Sequence, residues 1–128
     1  MAKHIDADKL IPIIAPAAGV FDLSGAAAPV KVYYNEASDA YFADNGPYFE
    51  VVEDLATNDQ IVHLGTLADS DAYGICTVPL AANAGDRIPF VMSQRVIPRG
   101  TVVVATHVDG ADTAGTGFVI GNIGVTRN

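Results

Sequence analysis

The sequence predicts an all-β fold: a single small β-barrel or β-sandwich domain with an extended N-terminal arm and at most one short helical turn. β-Branched and aromatic residues come in short runs, and the separators between runs are Gly, Asn, Asp and Pro. The intervals are too short to hold an amphipathic helix between strands. A length of 128 residues suits one domain with one modest core.

The elements follow in order. Residues 1–20 read as the arm and 21–128 as the β domain. Pro12, Pro16, Gly19 and Gly25 interrupt the apolar runs at 10–14 and 20–23, which forbids a sustained helix. Ile5, Leu10, Ile11, Ile13 and Ile14 are apolar residues that a free, Pro-interrupted segment cannot bury by itself. They are the candidate docking residues, on an arm expected to add as a strand to a partner's sheet edge. The alternative is that residues 10–14 form the first strand of the domain's own sheet. Strand-like runs then cover 29–34, 41–47, 48–53, 60–67, 73–80, 87–97, 101–108 and 118–125. Asp44-Asn45-Gly46-Pro47 and Thr57-Asn58-Asp59 are turn clusters, and Asn-Gly suits the positive φ of a tight turn. Pro79, Pro89 and Pro98 fall at run ends or edges, where a missing N–H is tolerated. A single helical turn has room at 69–73 or 81–84, and 109–117 reads as an exposed flexible loop.

Composition narrows the partners. Half the residues are hydrophobic, in part Ala, and a small domain with that much apolar surface tends to finish burying it against copies of itself or a partner. The net charge of −8 argues against nucleic acid and against an anionic membrane, because both reward Lys and Arg. No run approaches the roughly 20 apolar residues that span a bilayer. The start, Met-Ala-Lys-His-Ile-Asp-Ala-Asp, mixes charges unlike a signal peptide, so a cytoplasmic origin is expected. Charges are also segregated: from Val32 to Asp86 there are acids and no Lys or Arg, and then come Arg87, Arg95 and Arg99. The acids form either a solvated face or one half of a head-to-tail subunit contact with those arginines as its basic edge. A homotrimer is the specific expectation for such a closed contact.

Residues that could carry chemistry do not converge. His4, His63 and His107 lack a neighbouring His or Cys at ligand spacing. Cys76 lies in an apolar run and reads as a small core residue rather than a nucleophile. Ser24, Ser38, Ser70 and Ser93 have no nucleophile context, and Gly115-Thr116-Gly117 lacks the Lys of a phosphate loop. Asp69-Ser70-Asp71 opens like a calcium loop, but Tyr73 and Leu80 occupy ligand positions, so turn chemistry is the expectation. No enzymatic activity, cofactor or metal is expected.

Residues 71–92, Asp-Ala-Tyr-Gly-Ile-Cys-Thr-Val-Pro-Leu-Ala-Ala-Asn-Ala-Gly-Asp-Arg-Ile-Pro-Phe-Val-Met, run from a strand through an Ala/Gly-rich turn into a second strand. This resembles a segment of tailed-bacteriophage capsid decoration (cement, head-stabilising) proteins of the small β-barrel kind, and residues 95–104 fit its continuation. The resemblance implies a structural virion protein, a homotrimer on the outer capsid surface. It would clamp the major capsid protein against internal DNA pressure, after synthesis in the host cytoplasm. Two other classes suit an all-β chain. One is a carbohydrate- or receptor-binding β-sandwich, for which Tyr33, Tyr34, Tyr41, Phe42, Tyr48 and Phe49 would supply stacking faces. The other is a phage tail or adaptor subunit.

Overall fold

The computed structural model describes residues 9–24, 29–36, 39–43, 46–108 and 114–125. They form twelve strands and no helix: β1 (Lys9–Ala15), β2 (Phe21–Asp22), β3 (Val30–Tyr34), β4 (Ala40–Phe42), β5 (Tyr48–Glu53), β6 (Gln60–Gly65), β7 (Gly74–Val78), β8 (Arg87–Pro89), β9 (Val91–Met92), β10 (Val96–Ile97), β11 (Val102–His107) and β12 (Thr116–Val125). All pairings are antiparallel. Two sheets result, one of seven strands and one of five in the order β3-β11-β6-β7-β9. Of the barrel and the sandwich, the sandwich is the one found.

The ten-residue β12 is the spine of the larger sheet. One side carries β1 and β2 end to end, and the other carries β4 and β5, with β10 beyond β4 and β8 beyond β5. A long apolar run can hold two partners per side because every residue offers its N–H and C=O to one neighbour or the other. The expected strand over 87–97 is three short strands. Phe90, nearly fully buried, carries the chain from the larger sheet at β8 into the smaller one at β9, and its N–H donates to the Pro47 carbonyl. Within residues 71–92, β7 and β8 accordingly belong to different sheets, and Gly85 in the turn between them has φ +96°.

Inward positions alternate along the strands, as two facing sheets require. Phe49, Val62, Leu64, Cys76, Val78, Val103, Val119 and Ile123 are at most 0% exposed, in one continuous core. Edge-to-face rings add to it: Phe21 meets Phe49 within the larger sheet at 5.9 Å, and Phe42 of the larger sheet meets Tyr73, beside β7 of the smaller one, at 5.5 Å between centroids. Two polar side chains reach into one end of the core as a pair, His107 Nε2 with Gln60 Oε1 at 2.6 Å. The carboxamide oxygen can only accept, so the ring nitrogen donates.

Several acids of the middle segment have local structural work. Asp54, Asp59 and Asp86 accept backbone N–H bonds from Ala84, Leu80 and Asn83 at 2.7–2.9 Å, fixing turns, and Asp22 holds Ser24 in the same way. The 66–73 segment is likewise a turn, closed by Thr66 and Asp69 backbone bonds.

Of the arm expected over 1–20, residues 1–8 lie outside the described residues, and residues 9–15 are not an unpaired arm. Residues Lys9–Ala15 pair with Val119–Val125 along the whole of β1, so the alternative of a first strand in the domain's own sheet is what the structure contains. Ile13 is 9% exposed and Ala15 is fully buried. Burial of these two side chains and the ladder to β12 hold the strand in place, and Pro12, opposite Asn122, stands where no ladder bond to β12 is made.

Candidate docking surface

Strand parity divides the proposed docking residues into two sets. Ile11 and Ile13 point into the core, whereas Leu10 and Ile14 point out and remain 59% and 55% exposed. Ile5 lies outside the described residues. The two outward side chains begin rows that cross the sheet. The register sets Ile14 beside Ile120, Ile120 beside Tyr48, and Tyr48 beside Pro89. A second row runs Leu10, Gly124, Tyr41, Val96, with Val96 53% exposed. A Cβ on Gly124 would strike the Tyr41 ring, so the ring lies over the glycine and completes the row. At about 4.8 Å per strand and about 3.4 Å per residue, the two rows frame an apolar area roughly 14 Å by 14 Å.

A cleft of about 420 Å³ opens on this face, with Pro12, Ile14, Tyr48 and Ile120 among its walls. Its charged neighbour is Arg87, whose Nε donates to Glu50 Oε1 at 2.9 Å, so the pair adds no net charge. On a chain of net charge −8 this is a neutral, largely apolar face, with Asn122 the polar side chain between its two rows. Burying it costs little desolvation, which is what an interface centre requires.

The backbone edge beside it is protected. Asn122 gives its carbonyl to Ala43 on the β4 side, so by alternation the odd residues of β12 bond β1. Ile11 and Ile13 are therefore spent on that ladder, and Leu10, Pro12 and Ile14 face the open edge. Pro12 has no N–H to offer, so a partner strand cannot pair continuously along β1. What this place offers to a neighbour is the side chains of the face rather than a continuous strand edge.

The three arginines expected to form a basic edge lie apart on this chain. Arg87 and Arg95 lie on the outer column of the larger sheet, level with Phe118 and Ile123 of β12 through Glu50 and Phe42. They are therefore about 17 Å apart along the strands. Arg87 is paired with Glu50, and an Arg95 terminal nitrogen donates to the carbonyls of Ala43 and Gly46 at 2.8 and 3.0 Å. Arg99 is exposed in the turn before β11.

The remaining candidates separate similarly. Cys76 is fully buried and burial pushes its thiol up to about 12, so at neutral pH it holds its proton and is a poor nucleophile. His63 meets Ser70 Oγ at 2.9 Å on the other sheet. The six clustered aromatics are split: Phe42 and Phe49 are core, Tyr33 and Tyr34 belong to the five-stranded sheet, and Tyr41 and Tyr48 to the outer face of the seven-stranded one. Ile120, Val96 and Pro89 were missing from the candidates. One signal pointed to Ile120: Phe118-Val119-Ile120 is apolar at both parities, and a strand with one wet face would alternate.

Searches against protein-family models, characterised proteins and solved structures find no match to this chain.

Proposed function

We propose that this protein is a capsid decoration protein of a tailed phage, a non-catalytic virion component that docks on the assembled head and stabilises it. The observation that carries the proposal is the neutral apolar outer face of the seven-stranded sheet, with Leu10, Ile14 and Val96 each more than half exposed. An area of about 14 Å by 14 Å is a fraction of the roughly 800 Å² per partner of a standard interface, so it serves as the dry centre of a larger footprint. The resemblance of residues 71–92 supplies the class of partner, the major capsid protein, and the homotrimeric state on the outer capsid surface.

The test is co-sedimentation with undecorated heads of the encoding phage. Wild-type protein is expected to pellet with the heads, and Leu10→Asp/Ile14→Asp to stay in the supernatant while melting at the wild-type temperature. Equal pelleting of the two proteins would remove the face from the proposal, and no pelleting of wild type would remove the heads. A tail or adaptor subunit would pellet with tails instead. Light scattering checks the trimer, which a monomer throughout the micromolar range refutes.

A further inference from the structure

We propose that the groove where β8 crosses over into β9 is a second binding site, for an extended, basic peptide segment of a partner protein. The site is independent of the docking proposal and lies mainly on the other sheet. It encloses about 510 Å³ between Ile75, Thr77, Pro89, Val91 and Asp71, within the range of natural ligand pockets.

Backbone chemistry supplies the first reason. Ile61 gives its carbonyl to Val108 on the β11 side. By alternation Gln60, Val62 and Leu64 bond β7, through Val78, Cys76 and Gly74. The N–H and C=O of Ile75 and Thr77 therefore point to the far edge of β7. Ile75 finds Val91 there. The next position would be residue 89, but Pro89 has already turned into the larger sheet to pair with Tyr48. Thr77 thus presents its N–H and C=O at the groove with no strand opposite among the described residues. A short extended segment can take both, which is how peptides add to sheet edges.

Side chains supply the rest. Val91 is 78% exposed and stands beside Ile75 in register, so together they form an apolar floor for one anchoring side chain. Asp71 is exposed at the rim, and among the described residues no Lys or Arg lines the groove. On a chain of net charge −8, the complement is a segment carrying Lys or Arg near its apolar anchor. Unlike β1, this edge has no proline at its centre to prevent pairing.

The experiment titrates the full-length, nitrogen-15-labelled chain with two pools of capped peptides on the order of seven residues long, each with a central aliphatic residue. One pool carries Lys beside the anchor and the other Glu. Peptide is raised to about 1 mM, enough to half-fill even a millimolar site. The Lys pool is expected to shift the amide signals of Ile75, Thr77 and Val91, with the Glu pool weaker. Asp71→Asn should lower affinity for the Lys pool about two- to fivefold, the effect of one exposed ion pair. N-methylation of the central peptide bond should lower it about tenfold, because a backbone bond is lost. The proposal is overturned if the Lys pool leaves these signals in place, if the Glu pool binds equally, or if methylation has no effect. It is also overturned if the same signals move on dilution without peptide, which would assign the groove to a second copy of the chain.

Discussion

Two adjacent isoleucines in β1 offer the sharpest test of how this surface is built. Ile13 is 9% exposed and faces the core beside Ala15, whereas Ile14 is 55% exposed and faces out beside Ile120. Truncation of Ile13 to Ala removes the side chain beyond Cβ, which at about 0.8 kcal/mol per carbon comes to about 2.4 kcal/mol. A residual cavity adds to this, but an edge strand can relax inward, so about 2.5–3 kcal/mol is expected, the lower half of the observed range for such changes. Against a total stability of about 5–15 kcal/mol that is a large loss. Ile14→Ala, on the exposed face, should change stability by no more than about 0.5 kcal/mol. Urea unfolding followed by far-ultraviolet circular dichroism reads both, with equal slopes confirming that only stability has changed. If the two variants lose the same stability, or if neither loses any, then β1 is not seated on β12 as described. By the same reasoning, deleting residues 2–17 removes Ile13 and Ala15 and strips Val119–Val125 of their β1 partner. The truncated chain is expected to be destabilised rather than merely unable to dock.

Further outcomes follow from other positions. Gly117→Ala would drive a Cβ into the Glu50 carbonyl and the Phe49 ring at the centre of the larger sheet; about 3 kcal/mol or more should be lost, visible as a lower urea midpoint. Cys76, with its thiol pushed up to about 12 by burial, should resist Ellman's reagent at pH 8 in the native protein and react once urea unfolds it; prompt native labelling would contradict the burial. The Ser24 hydroxyl and N–H hold the Asp22 carboxyl below its ordinary value. A depressed folded-state pKa contributes stability above the unfolded value of about 3.9 and loses it as pH falls through the folded value, so the gap between wild type and Asp22→Asn should close below about pH 4. A gap that widens on acidification would reverse the sign.

The split between what was legible in the chain and what was not follows period and distance. Short β-branched runs, Gly and Asn separators and prolines at run ends determine an all-β chain, because turn chemistry and strand preference are properties of a few neighbouring residues. Cys76 as a core residue and the turn at Asp69-Ser70-Asp71 were legible for the same local reason. Sequence alone left open whether residues 10–14 were an arm or a strand, since Leu10-Ile11-Pro12-Ile13-Ile14 is apolar at both parities and alternation cannot say which side is wet. Only the pairing of β1 with β12 decided it, turning Ile11 and Ile13 in and Leu10 and Ile14 out. The run at 87–97 read as one strand because nothing in its composition records that Phe90 finds its place between two sheets. The arginines read as one edge because spacing along the chain hides the partners that Glu50, Ala43 and Gly46 become in space. The apolar outer face exists only where β1, β12, β5 and β8 lie side by side, with Ile14, Ile120, Tyr48 and Pro89 gathered from four segments. Local sequence fixes which residues favour extended backbone, whereas long-range register decides which of their side chains meet.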